Sequence, residues 1–279
     1  MYNQTVVQFL QAEVDGGMKM FDVNQLIPYK KEVKIEYTGE NVQLTPQRAQ
    51  DIETFWLDVN KQQQFFRGDV FTIQSIGEGD DVINIKVSRT DYAHYLHTIR
   101  NGITDHEGCK IVYGAGLVET KDSKFVIGNM ARHTAHPNRL QCVGGGLDQK
   151  DRRGPYFDIK ESVLRELHEE LGVGRQYIAH CAPVFLMKSR TYDDVVILYH
   201  IVLNIGAKEL SNIYQSFTYQ LVKKGQKPEF EQTIFIDRNR EAVDRFLTEN
   251  THHTVDYLYP FLMKMVNEEF RRGENKCRK

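Results

Sequence analysis

Apolar positions change their spacing along the chain in a regular order, and that order predicts the elements. Residues 5–14 and 32–37 alternate as strands do. Thr45 and Pro46 then open a helix running to about Asn60, Thr45 as N-cap and Pro46 at the first helical position. Its apolar stripe is Ile52, Phe55, Trp56 and Val59. The β-rich runs 70–76 and 82–87 flank Gly77-Glu78-Gly79-Asp80-Asp81, a hairpin signal. A second helix is expected over 90–100, with Tyr92, Tyr95, Leu96 and Ile99 on one side and Asn101-Gly102 stopping it.

From residue 110 the strands come faster. Runs 111–118 and 124–129 surround Glu119-Thr120-Lys121-Asp122, and 140–143 leads into Gly144-Gly145-Gly146. The stretch from Asp148 to Pro155 is polar and turn-rich and reads as a loop, and Asp158 opens the next helix. Strands follow at 183–188 and 195–204, separated by residues 189–194. Helical spacing returns at 209–223, 238–248 and 255–270, and the end at 271–279 is charged. Three regions follow: an α+β extension over 1–105, a mixed α/β centre over 106–224 and a helical tail over 225–279. Without a repeat or a low-complexity linker between them, they are expected to pack as one body.

Composition narrows the class. Hydrophobic residues make up 41% and aromatics 11% of 279 residues, ordinary for a globular protein. The formal charge of −2 supplies no basic field, which disfavours a nucleic-acid partner. Cys109, Cys142, Cys181 and Cys277 form no CxxC pair, so a reduced, cytoplasmic protein is expected. No basic leader precedes an apolar run, and no window approaches the roughly 18 apolar residues of a membrane span.

The chemistry concentrates in Arg165-Glu166-Leu167-His168-Glu169-Glu170-Leu171-Gly172-Val173. With Glu166 set at zero on a helical wheel, Glu170 lies near roughly 40° and Glu169 near 300°. Leu164, Leu167 and Leu171 fall between roughly 100° and 160°. One side therefore suits a core, and the adjoining side gathers negative charge. Such like-charge pairs cost about 0.2–0.5 kcal/mol each on a bare helix. A hard divalent cation turns the repulsion into coordination, and carboxylate oxygens suit Mg²⁺ or Mn²⁺.

This string resembles the core of the Nudix box, Arg-Glu-hydrophobic-x-Glu-Glu-x-Gly-hydrophobic, and meets each specified position. The resemblance implies a Nudix α/β/α sandwich with an N-terminal α+β extension and a helical C-terminal tail. It also implies metal-dependent hydrolysis of a diphosphate linkage in a nucleoside diphosphate derivative. Glu166, Glu169 and Glu170 would be the metal ligands, joined by the Gly145 carbonyl, with Arg165 orienting a glutamate. The glycine-to-arginine spacing departs from the family: Arg165 comes six positions late, and Phe157 stands where an upstream glutamate usually partners the arginine. Asp148, Asp158 and Glu161 are the candidate substitutes.

Other assignments stay open. The base could be a box glutamate, Asp193 or Asp194 of the 189–194 loop, or, less well placed, Glu229 or Glu231. Arg132, His133, His136 and Arg139 precede the glycines and could meet phosphates, and Arg89 and Tyr92 could reach the substrate from the N-terminal part. Zinc at His133 and His136 lacks a third ligand. Trp56, residues 66–71 and residues 88–92 are similar to the N-terminal part of Nudix enzymes acting on UDP-sugars. ADP-ribose, other nucleotide substrates and a non-catalytic nucleotide sensor are the alternatives, and a homodimer is left open.

Overall fold

The computed structural model describes residues 25–63, 65–189 and 191–267. The strand expected over 5–14, the charged end, Cys277, Arg190 and the last residues of the helix expected over 255–270 lie outside them.

The larger of two sheets has the strand order β1 (Ile27–Pro28), β11 (Ile178–Lys188), β12 (Val195–Leu203), β5 (Val112–Glu119), β6 (Lys124–Met130) and β13 (Phe230–Asp237). Two short strands join it, β7 (Leu140–Gln141) on β6 and β8 (Val143–Gly146) on β5. β12 runs parallel to β5 and antiparallel to β11. Its apolar run Val195-Val196-Ile197-Leu198 is buried on both faces, as a central strand requires.

Helices cover both faces of this sheet. On one, Val163 and Leu167 of α3 (Ile159–Leu171) and Leu210 of α4 (Ala207–Lys223) share a core with Val112, Val118 and Val126. On the other, Val243 of α5 (Arg240–Glu249) and Phe261 of α6 (Leu258–Val266) pack over Ala115, Leu117, Phe125 and Ile127. The strand alternation splits the residues between the two layers, and the result is an α/β/α sandwich. No helix of the described residues is long and apolar enough to cross a membrane.

The N-terminal elements form a second sheet, ordered β3 (Asp69–Glu78), β4 (Val82–Asp91), β2 (Glu32–Asn41), β10 (Tyr156–Phe157) and β9 (Arg152–Arg153). α1 (Pro46–Gln63) and α2 (Tyr92–Asn101) pack together through Ile52, Trp56, Ala93 and Leu96. Asp91 caps α2 by accepting from His94 N, and Gly102 ends it in the left-handed conformation.

Three expectations change. The stretch from Asp148 to Pro155 is not a plain loop: after a short 3₁₀ turn it enters the β9–β10 hairpin, whose β10 pairs with β2. The tail is not purely helical, because β13 pairs with β6 along its length. Its period-2 pattern is short and lies between two helical runs, which hid it. Finally, the hairpin that the runs 111–118 and 124–129 suggest is short: β5 and β6 pair only at Val118 and Glu119, and β8 pairs with Tyr113–Gly116 of β5.

Candidate active site

Two glycines of β5 set how closely α3 approaches the sheet. A Cβ at Gly114 would fall 2.4 Å from Val163 of α3, and one at Gly116 would fall 3.2 Å from the same side chain and 2.4 Å from Ile201 of the neighbouring strand. With those side chains absent, the helix drops onto β5 and brings its acidic side against β8. Gly144 has φ +153°, and a Cβ there would meet the Gly114 carbonyl oxygen at 2.3 Å. Glycine is therefore required at that turn of the strand.

Glu170 is buried, and its Oε2 accepts the Gly144 N–H at 2.8 Å. Glu166 lies one residue along: a Cβ on Gly145 would come within 2.3 Å of its Oε1. The two carboxyls thus lie directly on the glycine backbone. Glu169 is the most exposed of the three, and its Oε2 accepts from Arg165 Nη1 at 2.9 Å.

Arg165 organises this end of the helix. Nη1 donates to Glu166 Oε1 at 2.7 Å, and Nη2 donates to the Gly146 carbonyl at 3.3 Å. Its main partner is Asp151, reached from Nε to Oδ1 at 3.2 Å and from Nη2 to Oδ2 at 3.0 Å. This corrects the three candidates offered by spacing. Asp148 caps the short turn before β9, Asp158 caps α3, and Glu161 pairs with Arg175. The position of the missing glutamate, Phe157, is core: its ring lies 4.6 Å from that of Phe71. The overlooked signal was the Asp148-x-x-Asp151 spacing, which closes a capping box and turns Asp151 inward.

The electrostatics follow from burial without enough cations. Burial pushes the Glu166 and Glu170 carboxyls up; the charge of Glu166 raises Glu170 further, and that of Glu169 raises both. Arg165 opposes this at Glu166, and the Gly144 N–H opposes it at Glu170. Burial works against the Arg165 charge, but the bond to Asp151 and the charge of Glu166 outweigh it and hold its pKa up. Glu229, just before β13, adds negative charge to both buried carboxyls. Burial is the main influence raising its own pKa, followed by Glu169; its side chain still reaches solvent, so the effect is weaker than in a closed site.

The other candidates have different surroundings. Asp193 pairs with Lys188 at 2.8 Å and Lys110 at 3.5 Å, while Asp194 Oδ1 accepts the Ile111 N–H at 2.7 Å. Both acids therefore fasten the 189–194 loop to the residues just before β5. Arg139 donates to Gln141, Arg89 donates to Asn41, and Arg132 is exposed. The geometry does not gather these three arginines at the glutamates. His136 lies against the Tyr95 hydroxyl at 3.4 Å.

Among the described residues no three acidic, histidine or cysteine side chains converge to encase an ion. The donor set nevertheless fits Mg²⁺ or Mn²⁺, which are commonly held by one or two carboxylates plus substrate phosphates and water. Glu166 and Glu170 offer that pair of oxygen donors, with Glu169 reachable once it leaves Arg165.

No family model matches the sequence, and no curated protein matches it. Solved structures similar to this chain include Nudix proteins. A protein of Deinococcus radiodurans is 13% identical with a TM-score of 0.38, over 56% of this chain and 83% of that one. A MutT protein of Methanosarcina mazei is 13% identical with a TM-score of 0.34, over 56% and 92%. A NUDIX hydrolase from Nitrosomonas europaea is 13% identical with a TM-score of 0.33, over 59% and 90%.

Proposed function

We propose that this chain is a Nudix pyrophosphohydrolase, which cleaves the diphosphate bridge between a nucleoside and a second moiety with the help of a divalent cation. One arrangement carries the reading: the Glu166 and Glu170 carboxyls lie on the Gly144-Gly145 backbone. Beside them, Arg165 is clamped between Asp151 and the box glutamates.

Glu166, Glu169 and Glu170 would hold Mg²⁺ or Mn²⁺, together with the Gly145 carbonyl. The bound cation supplies neutralisation of bridging phosphate charge and a water of lowered pKa. The chain's own residues provide the alignment. The Gly144 N–H fixes one oxygen of Glu170, so that this carboxyl does not rotate. Arg165 aims Glu166 and favours its ionised form against the burial that pushes this carboxyl up. Glu229 adjoins the buried pair and is open to solvent, which suits a carboxylate taking a proton from the attacking water.

A UDP-sugar is the substrate favoured by the likeness of Trp56, residues 66–71 and residues 88–92 to enzymes of that kind. The test is a panel of UDP-glucose, ADP-ribose, a dinucleoside polyphosphate and capped RNA, each with Mg²⁺ and with Mn²⁺. UDP-glucose should give UMP and glucose 1-phosphate without inorganic phosphate. If ADP-ribose leads by about tenfold in kcat/KM, roughly 1.4 kcal/mol of transition-state binding, the UDP-sugar assignment falls and the hydrolase remains.

A further inference from the structure

A crevice of about 280 Å³ opens between the N-terminal unit and the core, directly beside the acidic helix. Asp69, Tyr92 and Tyr95 line it from the N-terminal side, and Asp148, Arg165 and Glu166 from the core side. Its size is near the lower end for small-molecule sites, suited to a single ring and not a whole dinucleotide.

The charge of the walls is lopsided. Three of these six side chains are carboxylic acids, and the one cation is Arg165, whose guanidinium is already engaged by Asp151, Glu166 and Glu169. Asp69 is steadied by Gln149 at 3.5 Å and Arg89 at 3.9 Å. The aromatic wall is rigid: the Tyr92 ring packs against those of Trp56, Phe65 and Tyr95 at centroid distances of 6.4, 5.7 and 5.9 Å. Fixed aromatic faces beside carboxylate acceptors suit a ring whose C–H face stacks and whose hydroxyls donate. Away from the cation that Glu166 would hold, a second anion brought here would meet the carboxylates of Asp69 and Asp148.

Resting on the hydrolase reading above, we propose that this crevice is the specificity site. It takes the uncharged, hydroxyl-bearing ring at one end of the diphosphate and turns away a terminal phosphate. Because Glu166 belongs both to the crevice wall and to the acidic cluster, a ring held here leaves its attached diphosphate at the reacting groups. Arg89, which does not line the crevice, acts at one remove by holding Asp69.

The experiment compares UDP-glucose, ADP-ribose and UTP on the full chain with Mg²⁺, by kcat/KM. One or both diphosphate-linked sugars should outrun UTP by about 100-fold or more, the size expected when a like charge is forced against a site. The better of the two sugars identifies whether a hexose or a ribose occupies the crevice. Asp69→Lys should narrow the sugar-to-UTP ratio by about tenfold or more. Asp69 is half exposed, so this variant tests the crevice in a folded protein. Tyr92→Leu should lower the sugar rates selectively. UTP within tenfold of the better sugar, or an unchanged ratio in Asp69→Lys with wild-type thermal unfolding, overturns the crevice assignment while leaving the hydrolase intact. Absence of Mg²⁺-dependent turnover with all three overturns the hydrolase reading, and this one with it.

Discussion

Asp151 and Arg165 form a two-point contact, Nε to Oδ1 at 3.2 Å and Nη2 to Oδ2 at 3.0 Å, between the turn that leads into the β9–β10 hairpin and the acidic helix. The same hairpin pairs with β2 of the N-terminal sheet, Tyr156 opposite Glu36 and Phe157 opposite Ile35. The clamp on the acidic cluster is thereby anchored to the N-terminal unit.

Removing that clamp should disturb activity more than substrate binding. Asp151→Asn leaves Arg165 with a weakened partner on a buried side, at a cost of about 3 kcal/mol in unfolding free energy. Turnover should fall about 10- to 100-fold, as when an outer support of a metal site is lost, with KM nearly unchanged. Asp151→Glu should recover part of the rate. A loss confined to KM would show that Asp151 meets substrate and does not position Arg165.

Gly145 gives a sharper geometric test. In Gly145→Ala the new methyl would fall 2.3 Å from Glu166 Oε1, the mobile end of that side chain. The carboxyl should swing away, leaving thermal stability nearly intact while Mg²⁺-dependent turnover collapses. Wild-type turnover would mean that the closeness of Glu166 to the glycine strand is unimportant for chemistry.

How much of this could be read in advance varies from residue to residue. The α3 helix was readable because 3.6-residue periodicity separates Leu167 and Leu171 from Glu166 and Glu170, and its Asp158 cap is local. The partner of Arg165 was not, since the return of Asp151 depends on how a turn and a hairpin fold back. Glu229 stands near the cluster only because β13 pairs with β6, and no local spacing connects position 229 to position 166. The nearness of Arg132 and Arg139 to the glycines in sequence does not fix where their long side chains point, and Arg139 turns to Gln141.

The two faces of α3 can be told apart by one pair of variants. Leu167 is fully buried, so Leu167→Ala should cost about 2–5 kcal/mol of stability. Its activity per folded molecule should stay near that of the wild type. Unchanged unfolding with lost turnover would reverse the assignment of the faces.

A pH effect is expected at His136, which faces the Tyr95 hydroxyl and feels Arg139 and Arg100. Burial first, then the two guanidinium charges, lowers its pKa from 6.5 to about 4. The unfolded chain gains a proton near its ordinary pKa while the folded one resists until about 4. Its contribution to stability is therefore intact above about pH 6.5 and declines as pH falls from there to about 4. His136→Gln should flatten that part of a thermal-unfolding profile; an identical slope in the variant would remove His136 as its source.

The central claim is that the buried carboxyls of α3 run a metal-dependent hydrolysis, and Glu170→Gln addresses it most directly. The substitution keeps side-chain volume and an oxygen for the Gly144 N–H while removing a charge. Hydrolysis of the best substrate by the wild-type and variant proteins should be followed across a Mg²⁺ titration, with thermal unfolding as the control for folding. The account predicts wild-type turnover that requires Mg²⁺ and a folded variant that has lost most of it at limiting Mg²⁺. Near-wild-type turnover by Glu170→Gln at limiting Mg²⁺ would contradict it.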